Sequence, residues 1–266
     1  MSPVRLIVRG ATALVLLLLG MMLYQERMLP VAVADVAATP GVFTEERLPR
    51  PMSFGRQGTT YVERDQGQRT FETDGVTWHM LDFGGSLTPR PAVVLFHGAG
   101  RTGLSQLDMW RAVARQHRLV LIAPDADGGW SIRQHGAGAV ARILEAAGAE
   151  ARIDSEQIFL FGHSAGGIHA QTLANGTDGP WQAVAVHAGT LPQRRIRAKE
   201  GAPDLLLILG TEDLNFPLDD GRASARALAE AGHDVLFRPV LGHDHWFYAI
   251  GPSIAATAWD WFAERG

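Results

Sequence analysis

No cysteine occurs anywhere in the 266 residues. Disulfides, thiol nucleophiles, zinc–thiolate sites and lipid attachment to cysteine are therefore excluded. The chain has no need of such staples, because a single domain of this length can bury a full apolar core. At 46% hydrophobic and 20% charged, the composition is that of an ordinary globular protein. A charge bias is missing as well. The net charge of −4 at pH 7 is mild, and no basic stripe interleaved with aromatics occurs, which argues against a nucleic-acid partner. There is no internal repeat, and no low-complexity block beyond the N-terminal leader.

That leader differs from the rest. Arg5 and Arg9 precede a Leu-rich apolar run from Gly10 to Tyr24, the order of a basic region followed by a hydrophobic export segment. A free-standing membrane span needs about 20 apolar residues. Counting from Leu6 to Leu23, with the Arg9 side chain reaching back to the interface, brings the run close to that length. Ala32-Val33-Ala34 is a passable cleavage site, although Glu26, Arg27 and Pro30 separate it from the apolar run. Residues 1–34 are thus expected to be either a cleaved signal peptide or an N-terminal anchor attached to the membrane through residues 6–24; the balance tips slightly to the anchor. Either way the basic end stays in the cytoplasm and the remainder is exported, to the periplasm or the extracellular space. Residues 35–58 carry Pro, Gly and charge without periodicity and read as a linker or peripheral arm. The catalytic domain is expected over 59–266.

Within it, short apolar runs alternate with helical patterns. Strands are expected at Val76–Phe83, Ala92–Phe96, Leu119–Ala123, Gln157–Phe161, Trp181–Val186, Asp204–Leu209 and Val235–Val240. Helices are expected at Leu104–Gln116, Ile132–Ala147, Ser164–Ala174, Asp219–Ala231 and Pro252–Glu264. The alternation implies an α/β fold with a mostly parallel central sheet and helices on both faces. Chemistry in such sheets sits at the carboxyl ends of the strands.

Gly162-His163-Ser164-Ala165-Gly166 matches G-x-S-x-G, and Gly167 follows. The motif lies between an apolar strand and a helical run, the setting a nucleophile on a sharp strand-to-helix turn requires. Its neighbours must be small to avoid collision, and the helix dipole favours the negative charge that develops there. The alternative for Ser164 is a plain helix-capping serine. A nucleophilic serine needs a base and an orienting acid, supplied in this arrangement in the order Ser, Asp or Glu, His. Asp213 follows the strand ending at Leu209 and is the candidate acid; Glu212 reads as solvated, Asp219 and Asp220 as helix-start residues. The last strand leads into Gly242-His243-Asp244-His245. Both histidines are candidates for the base, with His245 favoured by its spacing from Gly242. A His-x-His metal site is the other reading of this pair, but no further ligands are evident and no metal is assigned. The backbone N–H of Ala165 and that of Ala99, in the small-residue loop His97-Gly98-Ala99-Gly100, are the expected oxyanion donors.

These residues resemble the α/β-hydrolase superfamily over about 75–265, and among it the small esterases of the polyhydroxybutyrate-depolymerase and feruloyl-esterase type. Phe96-His97-Gly98-Ala99-Gly100 is similar to their oxyanion loop, and Ile153-Asp154 through Gly167 to their approach to the nucleophile. Asp244-His245-Trp246-Phe247-Tyr248 is similar to the histidine segment of esterase D and S-formylglutathione hydrolases, which supports His245. The cysteine-rich features of the polymer-degrading variety are absent. The resemblance implies serine esterase activity on a small-molecule ester, without a cofactor. The stretch between Val186 and Asp204 is too short for a helical cap, so an open site is expected. Trp246, beside His245, is expected either to line it as a substrate-binding residue or simply to pack.

Two readings compete. Gly98-Ala99-Gly100-Arg101-Thr102-Gly103 also matches G-x-G-x-x-G, with Asp125 at a later strand end, which alone would suggest an NAD-linked oxidoreductase; it leaves Ser164, Asp213 and the histidine loop unexplained. A non-catalytic envelope protein using the fold as a binding platform is the other. No specificity pocket separates an ester substrate from a thioester or peptide, and no pattern sets the oligomeric state.

Overall fold

The computed structural model describes residues 39–48, 61–84 and 87–266. The leader at 1–34, its apolar segment and most of the 35–58 stretch lie outside the described residues. Among those described, no helix is long and apolar enough to cross a membrane.

Among the described residues nine strands form one sheet in the order β1-β9-β8-β7-β6-β4-β5-β3-β2. They are β1 (Phe43–Glu45), β2 (Arg69–Thr73), β3 (Val76–Leu81), β4 (Arg90–Phe96), β5 (Val120–Pro124), β6 (Ile153–His163), β7 (Trp181–His187), β8 (Asp204–Gly210) and β9 (Val235–Val240). From β1 to β5 in that order every pairing is parallel; β3 joins β5, and β2 joins β3, antiparallel. The helices are α1 (Gly103–His117), α2 (Ile132–His135), α3 (Ala137–Glu150), α4 (Ala165–Gly176), α5 (Leu218–Glu230) and α6 (Gly251–Phe262).

The central strands read as continuous apolar runs because both faces are covered. Alternate residues of β4 feed opposite cores: Val94 and Phe96 pack with Val140 and Ile143 of α3 and Leu173 of α4. Val93 and Leu95 pack with Trp110 of α1 and Ile254 and Phe262 of α6. Burying each such side chain contributes about 1.5–3 kcal/mol.

Two elements were not expected. Phe43–Glu45, within the stretch read as a linker or arm, pairs with Val235–Phe237 as an edge strand. Arg222 holds Glu45 through two hydrogen bonds of 2.8 and 3.1 Å, and the Arg226 guanidinium lies 4.3 Å from the Phe43 ring. β2 and β3 form a hairpin through Asp74-Gly75, both at positive φ (51° and 75°), as a two-residue type I′ turn requires. The helix expected over Ile132–Ala147 breaks at Gly136, which is extended (ψ −179°). A Cβ there would lie 2.3 Å from the Ile132 carbonyl oxygen, so only glycine fits the break.

No cap covers the carboxyl end of the sheet among the described residues. Between β7 and β8 there is only a single 3-10 turn, Gln193–Arg195.

Candidate active site

Ser164 sits where β6 turns into α4, with φ 54° and ψ −119°. A side-chain-bearing residue held there is strained by about 1–3 kcal/mol, and the surrounding packing shows what over-determines it. A Cβ on Gly162 would lie 2.3 Å from the Gly166 carbonyl oxygen, and one on Gly166 would lie 2.2 Å from that of Phe96. The glycines thus let the turn close on itself and on β4. The Ser164 N–H donates to the His187 carbonyl at 3.0 Å, and its own carbonyl accepts from Ile168 N–H at 3.0 Å.

The structure brings Ser164, His245 and Asp213 into one line. His245 Nε2 lies 2.9 Å from Ser164 Oγ, and His245 Nδ1 lies 2.8 Å from Asp213 Oδ2. A carboxylate only accepts, so Nδ1 carries the proton and donates to Asp213; Nε2 then accepts from the Ser164 hydroxyl. The Asp213 side chain is wholly buried, while a quarter of the His245 side chain (24%) remains exposed. Asp213 Oδ1 accepts the backbone N–H groups of Asn215 and Phe216 at 2.9 and 3.0 Å. Glu212 is exposed, and Asp219 pairs with Arg222 at the start of α5.

His243 points elsewhere. It is buried, with Nε2 2.9 Å from His187 Nε2. The two histidines of the His-x-His pair therefore face different partners, and among the described residues no group of three or more His, Asp or Glu is arranged to hold a metal.

Ala165 is the first residue of α4, where backbone N–H groups lack intrahelical partners. Ala165 and Ala99 both border a cleft of about 730 Å³, whose walls include Tyr61, Glu63, Arg101 and Trp130. The loop of residues 97–100 is fastened by side chains around it. His97 donates from Nδ1 to the Gly98 carbonyl at 2.8 Å and accepts at Nε2 from Ala126 N–H at 3.0 Å. Burial keeps that imidazole below its ordinary pKa. The His97 carbonyl in turn accepts from Trp130 Nε1 at 2.9 Å. From the other side, Tyr61 stacks on Tyr248 at 4.1 Å and donates its hydroxyl to Asp108 at 2.8 Å. Burial, reinforced by that bond to Asp108, pushes the Tyr61 phenol well above its ordinary pKa. Tyr61 and Trp130 escaped the sequence reading because neither belongs to a motif. Trp246 is not among the residues lining this cleft; it packs edge-on against Tyr248 at 5.3 Å.

At the helix end of the glycine-rich loop, the N–H groups of Thr102, Gly103 and Leu104 are taken by side chains. Asp125 accepts the Gly103 N–H at 2.6 Å with one oxygen and faces His79 Nε2 at 3.1 Å with the other. Burial opposes the charged carboxylate, yet these two bonds hold Asp125 below the usual carboxylate range. Glu63 accepts from both Thr102 N–H and Oγ1 at 2.9 Å, and Leu104 N–H goes to Thr102 Oγ1. Gly98 is small for a different reason: a Cβ on it would press on the His163 ring (3.0 Å) and on Ser164 Cβ (3.4 Å). These bonds, and the packing of Gly98 against His163 and Ser164, count against a dinucleotide in this loop.

No protein-family model and no curated protein matches the chain. Solved structures do. Esterase Est2 of the planctomycete Thermogutta terrifontis, with propionate bound, aligns at a TM-score of 0.60 and 19% identity, over 76% of this chain and 95% of that one. A thermostable esterase aligns at a TM-score of 0.59 and 20% identity, over 74% of this chain and 62% of that one. Esterase PE8 aligns at 0.56 and 19% identity, over 70% of this chain and 97% of that one. The finer likeness to polyhydroxybutyrate depolymerases and feruloyl esterases stands on the sequence motifs alone. Likeness at these identities speaks for architecture, and together with the strand order above it establishes that this chain has the α/β-hydrolase fold, without a cap domain among the described residues.

Proposed function

We propose that the protein is a serine hydrolase that cleaves a small-molecule carboxylic ester through an acyl-enzyme, with Ser164 as nucleophile, His245 as base and Asp213 as orienting acid. The observation that carries this reading is the unbroken hydrogen-bonded line Ser164 Oγ–His245 Nε2, His245 Nδ1–Asp213 Oδ2 beside an open cleft. The aligned Thermogutta enzyme is itself described with propionate or butyrate bound, and phosphonylated by cyclosarin, which favours ester chemistry over a binding platform.

In this mechanism His245 takes the hydroxyl proton as Ser164 Oγ attacks the ester carbonyl. Asp213 holds the imidazole in the required tautomer and stabilises the imidazolium. The N–H groups of Ala99 and Ala165 receive the charge on the carbonyl oxygen; each such donor is typically worth about 100- to 1,000-fold in rate. The alcohol leaves with the proton from His245, and water repeats the sequence on the acyl-enzyme. With no cap over the cleft among the described residues, the reading admits a bulky acyl or alcohol group. We further propose that the basic-then-apolar leader at residues 5–24 carries the chain out of the cytoplasm, cleaved or retained as a tether.

The test follows hydrolysis of p-nitrophenyl acetate and butyrate by the full-length protein and by Ser164→Ala, together with covalent labelling by a fluorophosphonate. Turnover and labelling by the wild type, both lost in Ser164→Ala, support the reading. An inert, unlabelled wild type overturns it and favours the binding platform.

A further inference from the structure

Behind the Ser164–His245 pair lies a run of imidazoles that this hydrolytic chemistry does not use. His163 ends β6, His187 ends β7 as its register partner, and His243 stands in the loop after β9. His163 Nδ1 lies 3.0 Å from His187 Nδ1, and His187 Nε2 lies 2.9 Å from His243 Nε2. All three are buried, at 5%, 0% and 3% exposure. Phe247 packs against two of them, stacking on His163 at 4.7 Å and tilting against His187 at 5.2 Å. The charged groups facing the run are Asp213 and Asp244, both on the His243 side, with His245 beside them.

A neutral imidazole has one N–H and one lone pair, and at His187 both nitrogens are engaged. If Nδ1 carries its proton, it donates to His163, and His243 must donate to it from Nε2. If Nε2 carries the proton, it donates to His243, and His163 must donate from Nδ1. A change of tautomer in one ring obliges the other two to follow. Burial keeps the rings neutral: it pushes His163 down to about 3, drives His187 well below its ordinary value and lowers His243.

Both ends of the run touch the reacting pair through the chain. His163 immediately precedes Ser164, and its ring centre lies 5.3 Å from that of His245. His243 is two residues before His245, and its carbonyl accepts Glu212 N–H at 2.9 Å on the loop that carries Asp213. The nucleophile turn is thereby tied, across the end of β7, to the loops bearing base and acid.

We propose that His163, His187 and His243 form a hydrogen-bonded imidazole ladder that sets the base loop against the nucleophile turn, making His187 and His243 positioning residues for the Ser164–His245 hydrogen bond. The proposal rests on the reading of Ser164 as the nucleophile. Its leverage comes from geometry, since a misplacement of about 1 Å can cost about 100-fold in rate.

The experiment compares full-length wild type with His187→Phe, His243→Leu and His243→Gln. It measures kcat and KM on p-nitrophenyl butyrate, the rate of fluorophosphonate labelling, melting temperature, and ring nitrogen-15 spectra. Gln presents an amide where His243 presents Nε2, so it can pair with His187; Leu and Phe cannot complete the ladder. We expect His187→Phe and His243→Leu to lower kcat about 10- to 100-fold, with KM within about twofold and labelling slowed in proportion. His243→Gln recovers most of the loss. In wild-type spectra at neutral pH each of the three rings shows one protonated and one bare nitrogen, and His243→Leu changes the His163 tautomer balance. Unchanged kcat in the Leu and Phe variants, or a Gln variant as slow as the Leu one, overturns the positioning role. Rings that take up a second proton near pH 6.5 overturn the ladder, and the spectra report this even if the wild type proves inert and the hydrolase reading fails.

Discussion

Asp213 is held by one carboxylate oxygen and holds His245 with the other: Oδ1 accepts two backbone N–H groups, leaving Oδ2 alone to receive His245 Nδ1 at 2.8 Å. In Asp213→Asn the backbone N–H groups retain the amide oxygen, so the NH₂ group is turned toward His245. The imidazole must then accept at Nδ1 and carry its proton on Nε2, where it cannot take one from Ser164. Steady-state kinetics should show kcat lower by roughly 10⁴-fold with the fold intact.

The two histidines of the base loop should separate cleanly. Ring removal in His245→Ala eliminates proton transfer, and kcat should fall by about 10⁴-fold or more. His243→Ala leaves the Ser164–His245 pair chemically complete, so its kcat should stay well above that of His245→Ala. Parallel assays on p-nitrophenyl acetate decide this, and a reversed order would move the role of base to His243.

Ser164 occupies backbone space that suits glycine, at φ 54°. Ser164→Gly should be inactive yet more stable than Ser164→Ala, by about 1 kcal/mol, a rise of about 2–4 °C in melting temperature for a chain of this size. Equal melting temperatures would show that the turn carries no strain.

Gly166 has no room for a methyl group, because a Cβ there would fall 2.2 Å from a backbone carbonyl of β4 rather than from a yielding side chain. Gly166→Ala should destabilise the protein by about 3 kcal/mol or more and appear mainly as insoluble material. Gly148 meets no atom within 4 Å of its added Cβ, so Gly148→Ala, within helix α3, should be neutral or slightly stabilising by chemical denaturation.

Stability should fall on the acid side. Burial lowers His163 to about 3, and His169 and His233 to about 4, while an unfolded histidine titrates near 6.5. Between those values the unfolded chain binds more protons than the folded one, so unfolding free energy declines as pH drops. The contribution is whole above about pH 6.5 and is lost progressively from there toward pH 4. Urea melts at pH 7.5, 5.5 and 4.5 should show midpoints decreasing in that order.

The half of the fold that bears Ser164, Asp213 and His245 was legible because its signals are local. The apolar run into Gly162 and the helical pattern after Ser164 mark the turn directly. Asp213 and His245 each follow the end of a recognisable strand, and the structure brings their side chains to Ser164. What escaped depends on contacts distant in sequence. A three-residue strand such as Phe43–Glu45 is too short to show alternation, and it exists because Val235–Phe237 offers an edge. Arg69–Thr73 was within reach: Asp74-Gly75 before Val76 is a hairpin signal that went unused. The pairing of His163 with His187 and His243 follows from sheet register, which residue spacing alone does not reveal. For Trp246, adjacency to His245 in sequence left lining and packing equally open, and its ring packs edge-on against Tyr248.

β1 and β2 lie at opposite edges of the nine-stranded sheet although they are close in sequence. The N-terminal part of the chain therefore closes both borders, and in between contributes Tyr61 to the wall of the cleft. Open strand borders are templates for pairing with another chain. A cut at residue 59, which looks harmless because it spares every catalytic candidate, would strip Phe43–Glu45 from Val235–Phe237 and release Arg222 from Glu45. The trimmed protein would keep the line of Ser164, His245 and Asp213, and β9 would become the seam along which copies adhere.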